Sequence, residues 1–318
     1  MSQFLKRVAI YLVFSFALFL MLSYLMPVLY RIMPSDYKRH LVLTENLNKD
    51  TKAEIIFFGD SKAMFGIDAK NISQNLQSHP LAYNLSSVGQ GMDESSYYYS
   101  SINSNTKIVV QCIDASYLLA NNLRRTQDDK FLSMILSGYR MNEETRKIVG
   151  EVNTMFDKPV LQNYFDSRSY VRFFMNNLLR PFLDNEVFSD NELDLYFPHV
   201  YTKDRHPNYP FKYKLDCSEY NFNIIPSQTL TYLNHFSTYF SQKNIKFYLL
   251  MMPVNPDLCP NPTISEESLK QLSEVNNLCL INSMKILDNI EFYDGVHANK
   301  KGAKKLSEFI AQQLSLTK

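Results

Sequence analysis

Residues 57–68 read FFGDSKAMFGID. The apolar run AEIIFF (53–58) stops at Gly59, and residues 63–77 follow with a helical pattern that brings Met64, Ile67, Ile72 and Leu76 roughly to one side. A buried strand halted by a glycine and passing straight into a helix starts an alternating strand–helix order. Ser61 sits at that turn. It is either a helix cap or a nucleophile held out at the end of a strand, and the stretch alone does not separate the two.

The same rhythm continues outward. LAYNL (81–85) reads as a second short strand, SSVGQGM (86–92) as a turn-rich loop, residues 93–103 as a helix and KIVVQCI (107–113) as a third strand. Between 115 and 225 the rhythm breaks into polar and helical segments and a Pro/Tyr-rich section, YFPHVYTKDRHPNYPFKY (196–213), which we read as an insertion over the sheet. It resumes with a helix over 227–242, the strand IKFYLLMMP (245–253), a helix over 265–276, the strand LCLIN (278–282) and a last helix over 299–316, whose apolar face is Leu306, Phe309, Ile310 and Leu314. Strands alternating with helices indicate an α/β class with a parallel sheet. No internal repeat or low-complexity tract interrupts it.

The 318 residues are enough for one large domain or two modest ones. With 33 Lys and Arg against 32 Asp and Glu, the charge balance gives no electrostatic reason to expect nucleic acid as a partner. Val8 to Tyr30 carries no charged side chain, and at 1.5 Å per residue such a helix spans the roughly 30 Å hydrocarbon layer. No small-x-small cleavage site follows it, so we read a retained transmembrane anchor (8–30), with Pro27 tolerated near its end. A spacer (31–53) and the body (54–318) come after. Lys6 and Arg7 precede the span while Arg31, Lys38 and Arg39 follow it, so positive charge does not put the N-terminus in the cytoplasm and weakly favours the reverse. Of the four cysteines, Cys112 lies in a strand pattern and reads as core. Cys217, Cys259 and Cys279 have room for one disulfide in an oxidising compartment, with the pairing open.

Catalytic groups in open α/β sheets collect at the carboxyl ends of strands, where Ser61 lies. A serine hydroxyl needs a base and donors for the oxyanion it generates. FYDGVHANKKG (292–302) offers the base. Asp294 and His297 are three residues apart on a loop before the last helix, a spacing that lets one turn present the imidazole while the carboxylate fixes its tautomer. Taken alone, that stretch is an Asp-Gly turn with an exposed histidine; the order Ser, Asp, His at opposite ends of one α/β domain is what favours chemistry. Residues 59–63, Gly-Asp-Ser-Lys-Ala, do not fit the G-x-S-x-G elbow. His199 and His206 lack metal-site spacing and read as loop surface. SRSYVRFFMNNLLRPF (167–182) reads as a helix packed on the sheet or a surface for bilayer or sugar, and ANKKGAKKL (298–306) as a solvated helix face.

GDS after the first strand, DGVH (294–297) before the last helix, and Gly89 five residues beyond Asn84 in NLSSVG (84–89) together resemble the SGNH/GDSL hydrolase superfamily over about 54–318, in its membrane-anchored, DltD-like envelope form. The resemblance implies a flavodoxin-like three-layer parallel sheet. It implies Ser61 as nucleophile, His297 as base, Asp294 as its orienting carboxylate, and the backbone N–H groups of Ser61 and Gly89 as oxyanion donors. The family's Gly-x-Asn-Asp after the third strand is missing. VVQCIDASYL (109–118) stands there, and Gln111, Asp114 or a group from the insertion is the candidate substitute donor. The resemblance further implies an extracytoplasmic esterase, deacylase or acyltransferase for an O-acylated glycan or acyl donor of the cell envelope. It implies no metal or organic cofactor, and leaves room for a membrane acyltransferase partner. The rival reading is a glycan-binding or assembly factor that keeps the fold without efficient catalysis.

Overall fold

The computed structural model describes residues 3–32, 52–118, 217–222 and 224–316, together with Arg39, Leu43, Glu143, Glu144, Lys147 and Tyr196. Five strands, β1 (Ile55–Phe58), β2 (Ala82–Asn84), β3 (Ile108–Ile113), β5 (Lys246–Met251) and β7 (Leu278–Asn282), pair all-parallel in the order β2-β1-β3-β5-β7. A parallel pair requires a crossover, and the helices between the strands supply them. The expected α/β class with a parallel sheet is therefore found. The chain starts in the middle of the sheet, goes to one edge, and returns past β1 to build the other side. The order reverses between β1 and β3, and the crevice beyond the carboxyl ends of such neighbouring strands is where ligands bind in doubly wound sheets. A second, two-stranded parallel sheet joins β4 (Asn221–Phe222) to β6 (Thr263–Ile264).

The strands are apolar on both faces because both are covered. One face carries Ile56, Phe58, Val109, Ile113, Phe247, Leu249 and Met251 against α4 (Met92–Tyr99) and α5 (Ser227–Gln242). There Tyr99 makes edge contacts with Phe58, Phe236 and Phe240 at centroid distances of 5.6, 5.2 and 4.8 Å. The other face carries Ile55, Phe57, Val110, Cys112, Tyr248 and Leu250 against α2 (Ser61–Gly66), α3 (Ala69–Asn75) and α7 (Lys300–Leu316), where Leu306, Ile310 and Leu314 are buried. A short α6 (Glu266–Ser273) precedes β7 and is capped by Ser265, whose hydroxyl accepts from the Ser268 N–H.

One expectation changes. The single helix read over 63–77 is two, α2 and α3, broken at Ile67–Asp68. The Asp68 carboxylate caps α3 by accepting from the Asn71 N–H, while the buried Asn84 amide donates to the carbonyls of Ala63 and Ile67 at 3.0 and 2.9 Å. The Ala63 carbonyl keeps its helix bond from the Ile67 N–H, whereas the Ile67 carbonyl takes the Asn84 amide, and α2 ends there. Within 31–53, two described residues lie in the buried interior. Arg39 and Leu43 have no exposed surface, and the Arg39 guanidinium donates to the carbonyls of Asn84 and Ser86.

Helix α1 runs from Gln3 to Ile32, 30 residues, and each side chain described over 3–18 is exposed. Among the described residues, no helix is long and apolar enough to cross a membrane. Cys217 and Cys259 form a disulfide that spans 42 residues of sequence, leaving Cys112 and Cys279 as free thiols. Most of the 115–225 insertion, including His199, His206 and the 167–182 stretch, lies outside the described residues.

Candidate active site

Gly59 lets the chain leave β1 where no other residue fits. A Cβ there would stand 2.7 Å from the Ala63 Cβ and 2.8 Å from the Cys112 Cβ, so the turn into α2 passes directly over β3. The N-cap of α2 is Asp60, whose carboxylate accepts from the Lys62 N–H at 2.9 Å. Ser61 is therefore the first helical residue and not the cap, which leaves its hydroxyl free of the backbone.

That hydroxyl lies 2.8 Å from His297 Nε2, and His297 Nδ1 lies 2.7 Å from Asp294 Oδ2. The Asp294 Oδ1 accepts from the N–H groups of Val296 and His297 at 2.8 and 2.6 Å, so both carboxylate oxygens are engaged. Burial alone pushes the Asp294 carboxyl up, but the hydrogen bond and charge of His297 and the two backbone donors outweigh it and hold the group below the usual range. An ionised Asp294 only accepts, so the Nδ1 proton faces it and the Nε2 lone pair is left to take the Ser61 O–H.

The loop that bears this pair is held at both ends. The Tyr293 N–H donates to the His297 carbonyl at 2.8 Å, and Phe292 bridges Ala298. The Asn299 side chain then accepts from Gly302 N–H at 3.0 Å, at the start of α7, and donates to Ile290 O at 2.8 Å. Phe65, one turn after Ser61 on α2, meets the imidazole edge-on at 4.6 Å. Helix α2 thus bears on the ring, while the loop that carries it is tied to the start of α7.

On the other side of Ser61 the loop after β2 follows β1 closely. The Leu85 N–H donates to Phe57 O at 2.7 Å and the Ser87 N–H to Gly59 O at 3.0 Å. Two residues later Gly89 has a φ of 64°, the left-handed region that glycine enters at least cost. The backbone N–H groups of Ser61 and Gly89 have no hydrogen-bond partner among the described residues. Nearby, Ser86 Oγ and Gln90 Oε1 are buried without a partner among the described residues.

The two substitute donors behave differently from expectation. Gln111 is paired with Phe58 in the sheet and faces the α4 side. Its Nε2 donates to Cys112 O at 3.2 Å and its Oε1 accepts from the Tyr99 hydroxyl at 2.8 Å, so the amide is committed beneath α4. Asp114 lies just past the end of β3, and Ser61 three residues past the end of β1, the strand paired with it. Burial pushes its carboxyl up, but the Lys62 charge and hydrogen bond and the donors of Ser116 outweigh it and hold it below the usual range. An ionised carboxylate has no proton to donate, which removes Asp114 as an oxyanion donor.

What sequence reasoning missed is Lys62. Its ammonium bonds to Asp114 Oδ2, with the two side chains only 11% and 6% exposed. Tyr220, pushed up to about 12 chiefly by burial, donates to the same oxygen at 3.1 Å and turns its ring toward the ammonium, 5.9 Å away. Asp60 is raised by burial, opposed by the Lys62 charge. Nothing local in GDSK announces this pair; it depends on the β1–β3 register. Among the described residues no cluster of His, Cys, Asp and Glu has the makeup of a metal site. The chain matches no family model and no curated protein sequence.

Proposed function

We propose that this chain is an SGNH-type serine enzyme of the cell envelope. It transfers or hydrolyses acyl esters on an exported or envelope polysaccharide through an acyl-Ser61 intermediate. The observation that carries the reading is the continuous chain from Ser61 Oγ to His297 Nε2 and from His297 Nδ1 to Asp294, at 2.8 and 2.7 Å. A helix cap or a binding surface has no physical need for a hydroxyl, an imidazole and an ionised carboxylate in that order.

In this reading Ser61 Oγ attacks the acyl carbon while its proton passes to His297 Nε2. The carbonyl electron pair moves onto oxygen, where the N–H groups of Ser61 and Gly89 receive it. Collapse of the intermediate breaks the bond to the alcohol, which leaves with the proton from Nε2. Water or a sugar hydroxyl then gives its proton to Nε2 and attacks the acyl-Ser61 ester; the proton returns to Ser61 as the acyl group departs. Asp294 keeps the ring oriented and stabilises the imidazolium formed at each transfer.

Two further features support an anchored, extracytoplasmic body. The charge-free run Val8–Tyr30 lies within the 30-residue α1, whose described side chains are exposed although mostly apolar. The Cys217–Cys259 disulfide belongs to an oxidising compartment. A second reading, a glycan-binding or assembly factor of the same fold, is favoured by one observation: neither Gln111 nor Asp114 offers the missing side-chain donor. A fluorophosphonate probe on the detergent-purified full-length chain separates the two. Label on Ser61 that disappears in Ser61→Ala and His297→Ala supports the enzyme. Wild type that labels no faster than folded Ser61→Ala rejects it in favour of the binding factor.

A further inference from the structure

We infer that the Lys62 ammonium, fixed by Asp114 and Tyr220, is the third oxyanion donor of this site. The inference rests on the acyl-Ser61 reading and extends it to a residue whose type departs from the expected asparagine. Lys62 follows the nucleophile directly in the first turn of α2. Its partner Asp114 directly follows β3, the strand paired with β1, in the segment where a side-chain donor was expected and no asparagine is found. The pair therefore brings a cation to the end of the sheet where the acyl carbonyl must lie.

A structural explanation of the pair is weak. Removing two charges from water is costly, and a well-packed apolar pair in the same volume is often no less stable. An ammonium has three N–H donors. Asp114 takes one and the Tyr220 oxygen stands beside it, so at least one remains for a negative oxygen. As Ser61 Oγ bonds to the acyl carbon and the carbonyl pair moves onto oxygen, that N–H shares the new charge with the backbone donors of Ser61 and Gly89. Asp114 stays ionised throughout and takes no proton; its part is to hold the ammonium, with Tyr220 closing its second acceptor direction. In a site with little water such a fixed donor is far more effective than in solution.

The test uses the full-length chain, p-nitrophenyl acetate for the acylation burst, and a fluorophosphonate for the rate of Ser61 labelling, with near-ultraviolet circular dichroism to verify folding. Lys62→Met should slow acylation about a hundredfold or more, the usual effect of deleting one oxyanion donor, and should act on kcat more than on KM. Lys62→Gln keeps a neutral N–H and should recover part of that loss. The decisive variant is Lys62→Met with Asp114→Asn, which removes both charges of the pair and leaves Asp60 beside neutral groups. It should remain as slow as Lys62→Met, and it carries the test alone if the single variant does not fold. A folded double variant that acylates within a few-fold of wild type would overturn the inference, since Lys62 would then serve only to neutralise Asp114. Failure of wild-type Ser61 to label would overturn the acyl-enzyme reading itself, and the inference with it.

Discussion

Replacing Ser61 by alanine removes a hydroxyl bonded to His297 and leaves the cap bond from Lys62 N–H to Asp60 intact. Urea unfolding should show a cost of no more than about 1 kcal/mol, the net value of one hydrogen bond. Asp60→Ala removes the cap and should cost more, in the range of about 0.5–2 kcal/mol. The reverse ranking would contradict the cap assignment. For Asp294 two readouts apply. Asp294→Asn loses the acceptor that selects the tautomer, so ester turnover should fall on the order of 10³–10⁴-fold. Its carboxyl is depressed in the folded chain despite burial, because His297 and two backbone donors favour the charge. Such a group adds stability that is fully present above its unfolded pKa of about 3.9 and is lost as pH falls through the lower folded value. The melting temperatures of wild type and Asp294→Asn should therefore converge on acidification below about pH 4; a constant gap would argue that Asp294 is not held ionised by these partners. Ser61, Asp294 and His297 could be proposed from the sequence because Ser61 stands where a strand passes into a helix and the other two share one loop before the last helix. Lys62 could not, since its meaning comes from Asp114, just beyond β3.

Among the elements, the turn from β1 to α2 tolerates least. A Cβ at Gly59 would meet Ala63, Cys112 and the Cys112 carbonyl at 2.7, 2.8 and 3.0 Å, so Gly59→Ala must push α2 off β3. We expect a loss of about 1–3 kcal/mol, as for overpacking a core, together with slower Ser61 labelling. Gly89→Ala is strained for a different reason, its φ of 64°, and should cost about 1–2 kcal/mol. Proline there is no clean probe of the N–H, because its ring fixes φ near −65° and breaks the turn as well. Unfolding curves and labelling rates on the two alanine variants check both values; Gly59→Ala with wild-type stability and labelling would refute the close approach. Strand β1 was legible as an unbroken apolar run ended by Gly59, and β3 as one interrupted only by Gln111. The division of 63–77 into α2 and α3 was not, because the groups that end α2 come from Asn84, on the far side of a crossover.

For the whole molecule, two ties act over long distances in sequence. The Cys217–Cys259 bond closes a loop of 42 residues and holds the turn that bears Tyr220 to the segment after β5. Replacing both cysteines with serine should lower the unfolding free energy by about 2–4 kcal/mol on the loop-closure scale. Equal unfolding free energies with and without the cysteine pair would mean that the bond does not restrain the chain. If α1 is the anchor, the full-length chain should stay with membranes through a high-salt wash, and deletion of residues 1–32 should release it; a salt-extracted full-length chain would reject the anchor. The second tie is Arg39. Because its buried guanidinium holds the carbonyls of Asn84 and Ser86, the loop that carries Gly89 is braced by a residue just beyond α1. A soluble version cut at residue 54 would keep Ser61, Asp294 and His297 yet strip that brace, and its poor activity would pass for a requirement for lipid. A cut between 32 and 39 keeps the brace, so comparing the two truncations tells dependence on the bilayer apart from damage done by the scissors.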